Sequence, residues 1–273
     1  MAKSAPENRL RIQRIETGSQ EYQVIPVDPE DKNAIAAYYG FELKHGFSTL
    51  SHGDSLADMV SHRQSQMCRG ELAAAIIRVG EEVVATAEIL LKSGTKGHRF
   101  ADNEARTSGV LVQPDKQGLG LGKLMTTEQE RIAENAGKTA MVSAIDQANN
   151  SSLRLHLGVG FRLDGCDDRK VPPEFHIRKN LERKPSVKKN LADERATGRL
   201  NIVTDQIDDS SPDQILVDPL NTALVKQALE QGYKGVFLLT RKDVPDDSEI
   251  DRNFVVFVKA ENLSEEQSQE TQD

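Results

Sequence analysis

Residues Val110 to Lys123 read Val-Leu-Val-Gln-Pro-Asp-Lys-Gln-Gly-Leu-Gly-Leu-Gly-Lys. An apolar strand runs into a glycine-rich turn, and the turn opens a helix. The helix continues from Lys123 through Ala136, with Leu124 and Ile132 among its apolar positions, and Gly137 is placed to cap it. Glycines at 118, 120 and 122 let the backbone turn tightly and approach a bound group. The free amides of a helix start, at the positive end of its dipole, suit a phosphate. The stretch therefore points to a phosphorylated cofactor.

Three kinds of loop compete for these glycines. A dinucleotide turn wants Gly-x-Gly-x-x-Gly and an acidic residue about 20 residues on. Here the glycines alternate, and Asp146 lies too far away. A triphosphate loop wants Gly-Lys-Ser/Thr, but Gly122-Lys123 is followed by Leu124, so the magnesium-binding hydroxyl is missing. The third kind is the pyrophosphate loop of an acetyl-CoA-dependent acyltransferase, Gln/Arg-x-x-Gly-x-Gly/Ala. Residues 117–122, Gln-Gly-Leu-Gly-Leu-Gly, match it.

A second block accompanies the first. Residues 149–161, Asn-Asn-Ser-Ser-Leu-Arg-Leu-His-Leu-Gly-Val-Gly-Phe, resemble the later motif Asn-x-x-Ala-x-x-Leu-Tyr-x-x-x-Gly-Phe of the GNAT superfamily (Gcn5-related N-acetyltransferases). One helix and one strand separate the blocks, which is that family's spacing. The resemblance covers about residues 20–183. It implies an α/β (α+β) fold: a mixed, twisted β-sheet flanked by helices, with two strands splayed so that a pantetheine arm enters between them.

The rest of the chain fits that order. Strands are expected at Glu21–Val27, Leu72–Val79, Val83–Leu91, Glu104–Val112 and Lys138–Ile145. Phe161–Leu163 and Phe175–Leu181 read as a closing hairpin. Helices are expected after Asp28 or Asp31, at Ser55–Arg69 and at Asn149–Val159. The domain organisation reads as a flexible N-terminus (1–20), an acetyltransferase domain (21–183), a basic linker (184–199), a small acidic α/β unit (200–260) and a disordered tail (261–273). In the small unit, strands are expected at Asn201–Gln206, Gln214–Val217, Val236–Leu239 and Phe254–Lys259, around a helix at Pro219–Gln231.

Composition sets further bounds. The 273 residues carry a net charge of −8 and include no tryptophan. Residues 200–273 hold 16 acidic and 6 basic side chains. That balance discourages nucleic acid and favours a cationic substrate or a basic protein. The basic stretch from Arg178 to Arg199 reads either as a solvated linker or as an anion or nucleic-acid contact. There is no run of 18 apolar residues, so no membrane span is expected. The opening residues lack the apolar stretch of a secretory signal. Cys68 and Cys166 form no disulfide or metal framework, which fits a reducing, cytoplasmic setting. His45, His52 and His62 are too scattered for a metal site, and none is assigned.

The resemblance implies acetyl transfer from acetyl-CoA, as co-substrate, to a primary amine of a small molecule or a protein. The amides of Gln117, Gly118, Leu119, Gly120, Leu121, Gly122 and Lys123 would hold the pyrophosphate. The backbone of Leu111 and Val112 would pair with pantetheine, and Asn149 would contact it while also serving as a helix cap. His156 stands where the family often has a tyrosine acting as general acid. An imidazolium suits that task near neutral pH, and a packing role is the other reading. Glu88 and Glu104 are the candidate bases, on strand parity alone, and an exposed charge is the other reading of each. Asp146 more readily caps the following helix. The competing class is a non-catalytic GNAT-fold module that binds CoA or serves a larger assembly, with residues 200–260 available for self-association or a protein partner.

Overall fold

In the computed structural model, the described residues are 13–17, 20–46, 55–181, 201–208, 210–243 and 252–263. The chain divides into two compact units, Met1–Met141 and Val142–Asp273. Each is described by itself.

The first unit holds strands β1 (Gln13–Thr17), β2 (Gln20–Pro26), β3 (Leu72–Val79), β4 (Glu82–Leu90) and β5 (Glu104–Val112), with helices α1 (Lys32–Lys44), α2 (Leu56–Cys68) and α3 (Leu121–Asn135). The strands lie in the order β1-β2-β3-β4-β5, each antiparallel to the next. β1 corrects the expectation of a wholly flexible N-terminus. Gln13 to Thr17 pair with Val24 to Gln20 as a hairpin, so backbone ladder bonds form a strand from a stretch whose one apolar residue is Ile15.

The sequence dictates the layering. Along β3, Leu72, Ala74 and Ile76 alternate with Ala75 and Ile77. The first set packs with Ile35, Tyr38 and Tyr39 of α1 and Val60 and Met67 of α2. The second packs with Leu121 and Met125 of α3. The period of two along a strand thus puts α1 and α2 on one face and α3 on the other. Local signals fix the helix ends. The Asp31 carboxylate accepts from the amides of Asn33 and Ala34 at 2.9 and 3.1 Å, and Ser55 with Asp58 forms a capping box on α2. At the far end of α3, Gly137 takes φ +73° and Lys138 N–H donates to the Ala133 carbonyl at 3.0 Å. This is the glycine cap expected there.

The second unit holds β6 (Ala140–Asp146, beginning at the end of the first unit), β7 (Arg162–Asp167), β8 (Glu174–Asn180), β9 (Asn201–Ile202), β10 (Gln214–Val217), β11 (Tyr233–Leu239) and β12 (Phe254–Lys259). Its helices are α4 (Asn150–Gly158) and α5 (Thr222–Glu230). The strand order is β6-β8-β7-β11-β12-β10-β9, with β9 and β10 parallel, so the architecture is mixed as expected.

The segment expected as a small acidic unit continues this sheet, because Gly235 of β11 pairs with Leu163 of β7. Two contacts tie it further. Gln147 Nε2 donates to the Pro219 carbonyl at 2.6 Å and to Thr222 Oγ1 at 2.9 Å, and Arg154 pairs with Asp243 at 2.9 Å. The expected strand at 201–206 shortens to two residues. The helix expected from Pro219 starts at Thr222, where Asn221 accepts from Leu224 N–H. The linker 184–199 and the tail beyond 263 lie outside the described residues.

Gly235 is pinned by its neighbours. A Cβ there would lie 2.9 Å from Leu163 Cβ and 2.9 Å from Val255 Cγ1. Gly235→Ala is expected to destabilise by about 1–3 kcal/mol through overpacking, read as a lower urea midpoint at unchanged slope.

Candidate active site

The glycine turn is built on backbone geometry. Gly118 and Gly120 both sit at φ +82°, in the left-handed region, and no atom lies within 4 Å of a Cβ added at either. Gly120 is the N-cap of α3, and no side chain caps that helix. Its first-turn amides therefore face the turn without a side-chain acceptor, the arrangement that receives an anion. Helix α3 starts at Leu121, two residues before the expected start, because the chain enters it directly from the left-handed Gly120. Gln117 reaches back with Nε2 to the Val112 carbonyl at 3.2 Å and closes the turn onto β5. Leu119 stands out of the turn, 41% exposed. Leu111 and Val112 pair through the ladder with Thr86 and Ala85.

Among the described residues of the unit, Glu88 is the most buried acid. Its neighbours along β4 are apolar, and it is 1% exposed. A buried carboxylate demands partners, and two supply them. The Tyr39 hydroxyl donates to Oε2 at 2.8 Å, and the Lys96 ammonium meets Oε1. Burial, then the Glu88 charge, holds the Tyr39 hydroxyl protonated far above its ordinary range. On the outer side, the Arg63 guanidinium lies 5.6 Å from the Tyr39 ring centre.

Opposite Glu88, β5 carries a bulge. Ala87 pairs with Val110 and Ile89 with Thr107, so Ser108 and Gly109 oppose the single Glu88. Gly109 takes φ +117°. The bulge interrupts the ladder at the Glu88 and Gly109 carbonyls. Gln129 of α3 satisfies both, its Nε2 donating at 2.7 and 3.3 Å. One helix thus supplies the glycine turn at its start and the clamp on the bulge two turns later.

Glu104 is placed differently. It is 8% exposed and opens β5, where Oε2 accepts from the Ala101 N–H at 3.0 Å and its own N–H donates to the Ala101 carbonyl at 2.9 Å. That geometry locks the turn into the strand.

In the second unit, Asn149 and His156 both belong to α4. Asn149 is the N-cap, accepting from Ser152 N–H at 3.0 Å. Asp146 instead forms a local turn, accepting from Ala148 N–H at 2.8 Å, which corrects its assignment as the cap. His156 is 5% exposed, with Nδ1 2.8 Å from the Ser152 carbonyl and its ring edge-on to Phe161 at 5.1 Å. Only a protonated Nδ1 can donate to a carbonyl, so the neutral ring carries its proton there. Nε2 is buried without a partner, and burial pushes the imidazolium pKa below its ordinary 6.5.

This has a pH consequence. The unfolded chain takes up a proton at His156 as pH falls through about 6.5, and the folded chain resists it. Stability from this group is present above that pH and is lost as pH falls below it. His156→Phe is expected to flatten the fall in urea midpoint between pH 7 and pH 5 relative to the wild type.

The other expected groups sit apart. His45 caps the end of α1 and rests on Phe41, with ring centres 4.4 Å apart, His62 is exposed on α2, and His52 lies outside the described residues. Of the basic stretch only Arg178 and Lys179 are described, and the Lys179 ammonium donates to the Val159 carbonyl at 2.7 Å. Among the described residues no three His, Cys, Asp or Glu side chains converge as metal ligands, and no helix is long and apolar enough to cross a membrane.

Residues 42–161 match the model of the acetyltransferase (GNAT) family. This segment belongs to the GNAT family. The match contains Glu88, the bulge, the glycine turn, Asn149 and His156. Two curated relatives are similar to part of the chain: an Escherichia coli L-amino acid N-acyltransferase, 42% identical over 52 residues, and a Salmonella typhimurium L-methionine sulfoximine/L-methionine sulfone acetyltransferase, 40% identical over 52 residues. The stretch is 19% of this chain and 30% of each relative, so the chain spans under a third of the length of the relatives it matches. Among solved structures, Mycobacterium smegmatis RimJ in complex with CoA-disulfide is similar at 14% identity and a TM-score of 0.48, over 69% of this chain and 94% of that one.

Tyr39, Lys96 and Gln129 were not singled out by the sequence. A signal for the first two existed: a glutamate inside an apolar strand must find a donor and a cation. Gln129 had none, since nothing in the sequence marks the bulge it serves.

Proposed function

We propose that the chain is an acetyl-CoA-dependent N-acetyltransferase acting on a primary amine. The observation that carries this reading is the glycine turn inside the GNAT segment. It has two left-handed glycines over open space and an uncapped helix start. The residues fit the co-substrate, since side chains at 118 and 120 would fill the cradle. The amides of residues 117–123 would hold its pyrophosphate, and the Leu111–Val112 backbone its pantetheine arm. When bound, acetyl-CoA supplies the activated acetyl group.

The chain's own part is to bind the amine and to take its proton. We assign the base to Glu88, whose carboxylate is buried, held by Tyr39 and Lys96 and set opposite the bulge. Glu104 serves the turn instead. His156 was the expected acid. A neutral ring with its proton on Nδ1 and its Nε2 buried suits packing better, so we assign protonation of the leaving thiolate to water.

The same histidine favours the competing reading, a non-catalytic module with residues 200–260 as its contact surface. Both readings place the protein in a reducing, cytoplasmic setting, supported by its two free cysteines. The deciding experiment follows CoA release from acetyl-CoA over a panel of amino acids, polyamines and lysine peptides. Turnover with one amine class supports the enzyme. Tight acetyl-CoA binding without turnover on any of them supports the module.

A further inference from the structure

We propose that Glu88 forms a binding site for a primary alkylammonium ion, and that Lys96 holds this site as its built-in occupant. The inference rests on the acetyltransferase reading above and names its acceptor class: amines carrying an unbranched methylene stem.

The site is specific in its chemistry. The Glu88 carboxylate is 1% exposed, and Tyr39 already takes one oxygen. The other oxygen accepts a single ammonium, that of Lys96, whose side chain is one-quarter exposed. The Tyr39 hydroxyl on one oxygen and a single ammonium on the other form no guanidinium-type fork. With no cluster of three His, Cys, Asp or Glu side chains among the described residues, a metal ion lacks ligands. A compact ammonium with three donors is the cation that fits.

The manner in which Lys96 is delivered shows that it can be withdrawn. Among the described residues, Lys96 is the one non-glycine residue at left-handed φ, +53°. It stands between Gly94 at φ +89° and Gly97 at φ +76°, and a Cβ at either glycine would meet nothing within 4 Å. A lysine with this backbone is strained. A permanent counter-ion for Glu88 needs no such backbone, and a helix or strand position would supply one without cost. A strained loop between two unconstrained glycines instead gives a cation that leaves when another takes its place. Until Lys96 leaves, Oε1 of Glu88 cannot accept an acceptor's proton.

The test removes the occupant and offers a replacement. Lys96→Gly suits φ +53° and deletes the four-carbon stem and ammonium, which n-butylammonium restores. Binding of n-butylammonium is measured by calorimetry and thermal shift without acetyl-CoA, with tetramethylammonium as the salt control. The expected result is at least tenfold tighter binding by Lys96→Gly than by wild type, lost in Lys96→Gly/Glu88→Gln. Equal binding by wild type and Lys96→Gly, or binding retained in the double variant, overturns the proposal. Folding of Lys96→Gly in n-butylammonium but not in tetramethylammonium counts as the expected result. If it folds in neither, Lys96→Asn, which also tolerates left-handed φ, is read the same way with ethylammonium. Because acetyl-CoA is absent, failure here leaves the glycine-turn reading standing, and failure of acetyl-CoA binding leaves this site standing.

Discussion

Gly120→Glu is expected to lower acetyl-CoA affinity at least 100-fold while the protein stays folded. Two effects act in the same direction. The residue sits at φ +82°, where an L side chain costs about 1–2 kcal/mol. That strain falls on an exposed turn, which can relax, so it moves the first amides of α3 more than it moves the core. The added side chain also enters open space, since nothing lies within 4 Å of its Cβ. It brings a carboxylate to the helix N-terminus, where it takes the amides' dipole and repels a phosphate. Gly120→Asn separates the two effects. Asparagine tolerates the left-handed region and carries no charge, so its affinity should lie between those of the wild type and the glutamate variant. Calorimetric titration of acetyl-CoA gives the affinities, and circular dichroism checks the fold. Wild-type affinity in a folded Gly120→Glu protein would remove the cradle from the site.

Much of the architecture was legible because it rests on short-range rules. The alternation in Leu72–Ile77, the capping box at Ser55 and Asp58 and the glycine cap at 137 each need only a few neighbouring residues. The glycine turn was legible for the same reason, since alternating glycines before a helix mark a left-handed backbone leading into a helix start. What escaped depends on distant pairing. Polar Gln13–Thr17 becomes a strand only because β2 lies beside it. Gly235 joins the C-terminal strands to β7 across some 70 residues, so the segment 200–260 looked separate until Leu163 was placed opposite it. Parity made Glu88 a candidate, but it did not name the partners Tyr39 and Lys96. Lys96 lies in a loop whose backbone no composition rule predicts, and Gln129 answers a bulge that shows only when β4 and β5 are paired. His156 was readable as a motif position. Its role depends on which nitrogen carries the proton, and that is set by the fold.

Glu88→Gln is expected to lower turnover by about 10²–10⁴-fold, the usual worth of a positioned base, while acetyl-CoA affinity stays within about threefold. Glutamine keeps the shape and can still accept from the Tyr39 hydroxyl, so the α1–β4 contact persists. What it loses is the charge. The Lys96 ammonium then faces an amide, and removing one partner of a fully buried pair costs about 3–5 kcal/mol. Lys96 is one-quarter exposed and can turn toward water, so the cost here should fall to about 1–3 kcal/mol. Stability and rate therefore drop together, and a rate loss alone would not identify a base. Lys96→Met resolves this. It removes the same ion pair from the other side and leaves the carboxylate in place. Comparable destabilisation with turnover retained in Lys96→Met, against turnover lost in Glu88→Gln, assigns proton removal to Glu88. Equal losses in both variants would mean that the pair serves the fold and that the base lies elsewhere. Steady-state rates with a saturating amine, urea midpoints and acetyl-CoA titrations on the three proteins provide the comparison.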